Sequence, residues 1–384
     1  FDLCDARNHP DVRLHGDDNV VSHQCVMKGD VDAALRACDA VVENVYHTPR
    51  QEHAYLETQG MVAVPEQGGV MHVYGSMQCP FYVREAVACV LDMPLATVQV
   101  TQTSTGGAFG GKEDFPSLPA SQAAVLAAHT GRPVKLIYSR DEDIAVSSKR
   151  HAACIRSVYG ATRDGILRAA RVEYTIDAGA YATLSPVVLF RGVVHAVGPY
   201  RCDNVDVQGY AVATNTVPAG AFRGFGSPQV LFAAERQMDE LARALDLDPV
   251  TLRRANLLRE GDATITSQRL PWSVGAHQTL DAACRSVDWE KKRGELTRER
   301  VRNDPVTGAR HARGMGVSTI YYGVGLGAGG EHMARTGATM AVNRDGSVSF
   351  AVGTTEMGQG MKTVLSQIAA ETLGIEYSRV AILP

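Results

Sequence analysis

At 384 residues, with 45% hydrophobic and 21% charged side chains, the chain has material for two or three domains and an ample core. A formal net charge of −4 gives no basis for binding nucleic acid or an anionic membrane, and the longest apolar stretches, such as Ala123 to Ala128, are far too short to span a bilayer. Eight scattered cysteines (Cys4, Cys25, Cys38, Cys79, Cys89, Cys154, Cys202 and Cys284) form no CxxC pair and no zinc or iron–sulfur spacing, so they read as reduced, mostly buried thiols of a cytoplasmic protein.

The chain opens on Phe1 rather than Met and is polar and turn-rich to Asn19. Asp30 is placed to cap a short helix over Val31 to Cys38, and Val41 to His47 follows as a strand. Met61 to Val64 and Met71 to Gly75 read as strands; a helix then enters at Pro80 with Val83, Ala86, Val87 and Val90 as its apolar stripe. Val98 to Gln102 is a strand, Ala120 to His129 a helix stopped by Gly131, and Val134 to Tyr138 a strand. Arg156 to Gly160 and Ala169 to Asp177 flank the turn Thr162-Arg163-Asp164-Gly165. Pro186 to Val197 reads as an apolar helix with Arg191 in its middle, and Val205 to Thr214 as a strand. Helices are expected over Gln229 to Ala244, Pro249 to Leu258 and Leu280 to Arg300, with a loop over Arg259 to Pro271.

Ala338 to Val342 and Ser347 to Val352 form a second hairpin, and Thr363 to Thr372 a last helix. Ser378 to Pro384 reads as a strand without a partner, and both ends predict a piece of a longer polypeptide. Strands and helices mix without strict alternation, so the class is α+β, with mixed sheets and packed helices. The expected division is 1–20 as a linker from a preceding domain, 21–302 as a first domain, 303–313 as a linker, and 314–384 as the start of a second.

Three glycine-rich loops stand out: Gly106-Gly107-Ala108-Phe109-Gly110-Gly111-Lys112-Glu113, Ala221-Phe222-Arg223-Gly224-Phe225-Gly226-Ser227-Pro228-Gln229 and Thr354-Thr355-Glu356-Met357-Gly358-Gln359-Gly360. Glycine lets the backbone approach a ligand and take positive φ, so peptide N–H groups beside Arg, Gln and Glu suit an anionic or carbonyl-rich cofactor. No Ser/His/Asp, Cys/His or HExxH arrangement accompanies them.

Gly106 to Lys112 nearly matches a phosphate-binding P-loop, but Glu113 stands where a hydroxyl must hold magnesium, and Pro116 and Pro119 interrupt the helix entry. Gly325-Leu326-Gly327-Ala328-Gly329-Gly330 matches GxGxxG in letters only and reads as loop. Taken singly, Gln78 fits a turn residue, Glu113 a solvated acid, Glu356 a structural loop acid, and Arg191 a salt-bridged or surface arginine.

Together, Gln51 to Thr58, Gln78, Gly106 to Glu113, Gly131 to Val134, Ala221 to Gln229 and Thr355 to Gly360 resemble, in order, the molybdopterin-binding part of the xanthine dehydrogenase/aldehyde oxidase family, the molybdenum hydroxylases. The resemblance implies a molybdopterin-binding domain of xanthine dehydrogenase type plus the start of a second. It also implies a molybdenum–molybdopterin cofactor, the cytosine dinucleotide being one option for its form. Gln78, Phe109 and Arg223 match residues of the molybdenum environment, Gly107 and Ala108 the backbone loop beside it, and Gln359 a glutamine that contacts the pterin. Ala108 departs from the third glycine many relatives carry.

Glu113 and Arg191 match the acid and arginine that face each other across the substrate in purine hydroxylases, and Phe225 the aromatic ring packed on it. The resemblance therefore implies hydroxylation of a purine or related N-heterocycle with oxygen from water, with an aldehyde or nicotinate as the alternative substrate. Leu326 is the nearest counterpart of the second sandwiching phenylalanine. The family's basic glutamate, in a Gly-Glu-Pro segment, has no match here, so the chain alone is expected not to turn over. The [2Fe–2S] and FAD groups are expected on other domains or subunits, in a dimer of heteromers. A P-loop NTPase and a non-catalytic assembly subunit are the readings from other classes.

Overall fold

The computed structural model describes residues 3, 7, 13–298, 301–303, 307–308, 310–325 and 336–383. Four sheets organise them. The largest has five strands in the order β1-β9-β8-β7-β2, built from β1 (Val20–Lys28), β2 (Ala40–Thr48), β7 (Ala153–Ala161), β8 (Leu167–Gly179) and β9 (Asn204–Ala213). All its pairings are antiparallel except β8 with β9, whose connection carries helix α5 (Ser185–His195). Helices α5 and α6 (Ser227–Ala244) cover one face, and Ile155, Tyr174, Ile176, Leu189, Val207 and Met238 fill the core between them.

The second sheet, β5-β4-β3-β6, joins β3 (Gly60–Glu66), β4 (Val70–Gly75), β5 (Val98–Gln102) and β6 (Val134–Ile137). It packs against α2 (Pro80–Val90) and α3 (Ser117–Thr130) through a separate core of Met61, Val73, Met77, Val83, Val87, Ala123 and Ala127. α3 is alanine-rich on its buried face, which lets it lie close to the sheet, and Gly131 ends it at φ 65. The third sheet, β12-β13-β14, contains β12 (Ala338–Val342), β13 (Val348–Val352) and β14 (Val380–Leu383), with α10 (Met361–Leu373) between the last two.

The α+β class is as expected, and several elements differ in detail. β1 was not anticipated, since its alternation is half-buried rather than apolar; it pairs along β9 as an edge strand. Helix α4 (Arg140–Val146) was also unanticipated, although Ser139 and Glu142 form a capping box at its start. The single helix expected over Leu280 to Arg300 is two, α8 (Ala276–Ser286) and α9 (Trp289–Arg298), broken where Asp288 takes φ 49. The expected linker contains a short hairpin, β10 (Val301–Asn303) with β11 (Arg310–Ala312). β14 is not unpaired; it joins β13 in parallel, Val348 opposite Val380.

The cysteines also differ from expectation. Cys154 is disulfide-bonded, and among the free thiols Cys202 is buried while Cys25 and Cys89 are exposed. Cys25 lies on the outward side of the alternating edge strand β1, which leaves its thiol in solvent. No described helix is long and apolar enough to cross a membrane.

Candidate functional site

The three glycine loops converge. The first follows β5 of the four-stranded sheet, the second joins β9 of the five-stranded sheet to α6, and the third joins β13 to α10. Between them lies a cavity of about 740 Å³, lined by Gln78, Ala108, Phe109, Glu113, Arg223, Phe225 and Gln359 among others. Seven of the nine residues proposed from sequence thus line one cavity. Gly107 sits just behind, against Tyr55 and Phe109, and Arg191 is not on the wall.

The first two loops are fastened together. Arg223 N donates to Phe109 O at 2.9 Å, and Gly110 N donates to Gln78 Oε1 at 2.8 Å. A Cβ on Gly110 would lie 2.7 Å from the Ala221 carbonyl carbon, so only glycine allows this approach. From behind, His53 Nε2 contacts Ala221 O at 2.7 Å and its ring stacks on Phe222 at 4.3 Å, while the Arg150 guanidinium lies 3.9 Å from the Phe222 ring centre and donates to Arg223 O. These supports carry no catalytic signature in sequence; only the place of Gln51 to Thr58 in the resemblance pointed to His53, and nothing pointed to Arg150.

Two bulky residues on this wall have left-handed backbone, Phe109 at φ 54 and Phe225 at φ 50. Such a conformation costs on the order of 1–3 kcal/mol per residue and concentrates at functional sites. The glycines beside them, Gly107, Gly110, Gly224 and Gly226, also have positive φ. Ala108 does not, so its methyl group meets no backbone conflict.

The wall offers donors. The N–H groups of Ala108 and Phe109 make no hydrogen bond among the described residues, and neither does the exposed Arg223 guanidinium. Gln78 accepts through Oε1, which leaves its NH2 as the half of the amide available to a ligand. Unsatisfied N–H groups, a free guanidinium and an amide NH2 suit a group rich in anionic and carbonyl oxygens, so the residues present fit a pterin-type cofactor. No cluster of three or more His, Cys, Asp or Glu able to hold a bare metal ion occurs among the described residues.

Glu113 has its carboxyl pushed up to about 7, first by burial and then by the neighbouring Asp114 charge. Asp114 is raised as well, chiefly by burial, and its Oδ1 has no hydrogen-bond partner among the described residues. Lys112, which the P-loop reading would place on a phosphate, is 0% exposed and bonds Glu57 and Ser76 at 3.0 Å each. It is therefore a structural ion pair behind the loop, and the phosphate-binding reading loses its lysine.

The third loop is closed on itself. Glu356 accepts from Gly358 N, Gly360 N and Lys362 N at the start of α10, which holds its carboxyl below the usual value. Gln359 donates to Thr355 O and accepts from Met357 N, so its amide braces the loop even though the residue lines the cavity.

Arg191 is 1% exposed and donates to Gly323 O, with its guanidinium 4.2 Å from the Tyr322 ring centre. Tyr322 is on the cavity wall and was not anticipated. Nothing marks it locally; the irregular segment that carries it is attached to α5, with Tyr321 OH donating to Val194 O. Leu326, proposed as the second aromatic's counterpart, and the glycine run after Gly325 lie outside the described residues.

Comparison with known proteins fits this architecture. Residues 14–257 and 282–384 each match the Molybdopterin cofactor-binding domain. The chain belongs to the molybdopterin-binding proteins of the xanthine dehydrogenase/aldehyde oxidoreductase family. This molybdopterin-binding chain is 33% identical over 371 residues to the xanthine dehydrogenase molybdenum-binding subunit of Escherichia coli, covering 96% of its own length and 48% of that protein. It is 43% identical over 283 residues to the nicotinate dehydrogenase large molybdopterin subunit of Eubacterium barkeri, covering 74% of its own length and 66% of that subunit. It also resembles in fold the aldehyde oxidoreductase of Desulfovibrio gigas (TM-score 0.82, 24% identity, 98% of this chain and 40% of that one). The chain spans about half the length of several curated relatives it matches.

Proposed function

We propose that this chain forms the molybdopterin-binding wall of a hydroxylase that oxidises a purine or related N-heterocycle. The observation that carries the reading is the convergence of three separated loops on one cavity, with both strained phenylalanines on its wall. A molybdenum–molybdopterin group bound there would supply the redox chemistry and the transfer of oxygen from water. The N–H groups of Ala108 and Phe109, the Gln78 amide and the Arg223 guanidinium would hold its oxygens, and the two phenyl rings would exclude water beside it.

Glu113 orients the heterocycle. With its carboxyl near 7 it carries a proton on the acid side of neutrality and donates to a ring nitrogen or carbonyl. Above that range it accepts from a ring N–H instead. An aldehyde offers only a carbonyl to the protonated acid and no ring N–H to the carboxylate, so a heterocycle uses Glu113 in both states, which supports the heterocycle over the aldehyde. Gln359, once released from its loop, would reach the pterin. Iron–sulfur and FAD subunits or domains, the remaining molybdopterin-binding portion, a cytoplasmic setting and a dimer of heteromers complete the proposal.

Substitution of Glu113→Gln in the complete native complex tests it. kcat/KM for purine substrates should fall by about 10²–10³-fold, with aldehyde turnover changed only a few-fold. Equal losses on both would contradict the substrate assignment. A pyridine carboxylate is the second reading, supported by the 43% identity to the nicotinate dehydrogenase subunit.

A further inference from the structure

Arg191 is a buried cation without an anion among the described residues. It lies on α5 among Val187, Val188, Leu189 and Phe190, where packing gives no reason for a charge. Among the described residues no carboxylate pairs with it; Nη2 donates to Gly323 O, and Nε and Nη1 have no hydrogen-bond partner. Burying an uncompensated charge is strongly unfavourable. The Tyr322 face, 4.2 Å from the guanidinium, offsets only part of this.

Tyr322 separates that guanidinium from the three-loop cavity, since it lines the cavity and Arg191 does not. The ring is 50% exposed, and its hydroxyl makes no hydrogen bond among the described residues. It also borders a second, largely apolar cavity of about 650 Å³ with Leu231, Phe232 and Ile320. Gly224 and Tyr322 are common to the two cavities. The backbone on either side is pinned: Thr319 N donates to Glu235 Oε2 at 2.8 Å, Tyr321 OH to Val194 O at 3.0 Å, and Gly323 N to His195 Nε2 at 3.2 Å. A pinned backbone thus carries a ring whose contacts among the described residues are stacking ones, against Arg191 and, at 5.7 Å, His195.

We propose that Tyr322 is a gate over Arg191, and that swinging its ring into the second cavity presents the two unpartnered nitrogens, Nε and Nη1, to an anionic oxygen on a bound heterocycle. Tyr322 is then a specificity-determining residue that acts through Arg191. A ligand shifts the gate only by binding its open state better, and an anionic substituent is what makes that difference. The inference rests on the heterocycle reading for its ligand, but the shield itself does not.

The test uses the complete native complex carrying Tyr322→Ala or Tyr322→Leu; the second keeps bulk and removes the π face, in case the first fails to assemble. Phenylglyoxal, a small arginine reagent, reads the shield without any substrate. Peptide mapping should find Arg191 modified about tenfold faster in the variants. Pyridine-3-carboxylate and pyridine-3-carboxamide, alike in size, then read selectivity. The carboxylate should bind about tenfold tighter in the variants and the amide change by less than about twofold. An unchanged rate of Arg191 modification, or equal tightening of both pyridines, overturns the gate. Faster modification with neither pyridine bound by any form supports the gate and overturns the heterocycle reading.

Discussion

The first and third glycine loops each carry a glutamate, and the two acids live in opposite environments. Glu113 ends a loop that is fastened to the second loop by the Arg223–Phe109 bond and to the segment before α2 by the Gly110–Gln78 bond, and burial raises its carboxyl to about 7. Glu356 sits in a loop that satisfies itself, and three backbone N–H groups lower its carboxyl. Among the described residues only two side-chain bonds tie the third loop to the rest: Thr355 Oγ1 to Gln78 O and Gln102 Nε2 to Glu356 O. One side of the cavity is therefore tied to its neighbours and carries a buried acid with a raised carboxyl. The other is a clasp whose acid serves its own helix.

The comparison can be broken most severely at Gly110. A methyl group there meets the Ala221 backbone at 2.7 Å in a backbone held at φ 101. Gly110→Ala should lower stability by about 2–5 kcal/mol and abolish retention of the pterin, read by denaturant titration and by pterin analysis. Near-normal stability with full pterin content would show the two loops are not rigidly joined.

A second, intermediate effect separates the acids by the sign of their pH dependence. Glu113 is raised from 4.5 to about 7, so its stabilisation is fully present below 4.5 and is lost as pH rises through about 7. Glu356 is lowered, so its contribution is present above 4.5 and is lost as pH falls below that value. Glu113→Gln should flatten the stability profile between 4.5 and about 7, measured by denaturant titration at stepped pH. A profile unchanged by that substitution would remove the buried-acid account.

The smallest effect belongs to Glu356→Gln. A helix-terminal carboxylate in solvent contributes below about 1 kcal/mol, so the variant should unfold almost as the parent does. Pterin retention should weaken only a few-fold, because the clasp keeps its Gln359 bonds to Thr355 and Met357. A loss as large as that of Gly110→Ala would mean both loops are equally rigid.

Local signals in the sequence carried most of the elements. Val98 to Gln102 is a strand over the expected residues, Asp30 caps α1 (Val31–Arg36) by accepting from Ala33 N, and Gly131 closes α3 in the left-handed region. The losses are physical as well. β1 is a half-exposed edge strand and shows no apolar run, and α4 is short enough that its capping box at Ser139 and Glu142 passes as loop. The break between α8 and α9 rests on one backbone angle, at Asp288.

The site was legible through its loops, whose glycines mark positive φ and close approach. What the loops cannot state is their separation in space or what stands between them. Glu113 was readable as an acid with Asp114 next to it, but not as a buried one. Arg191 was readable as an arginine in an apolar helix, whereas its cover, Tyr322, comes from a segment more than a hundred residues later. Lys112 looked like a phosphate ligand by spacing until Glu57 and Ser76 were found around it.

Metal and pterin analysis of the native complex asks directly whether this cavity holds a molybdenum–pterin group. With all partners retained, the account predicts about one molybdenum and one pterin per copy of this chain, both lost together in Gly110→Ala. An intact complex containing neither, from cells whose other molybdenum enzymes are fully loaded, would contradict it and leave the chain an assembly subunit.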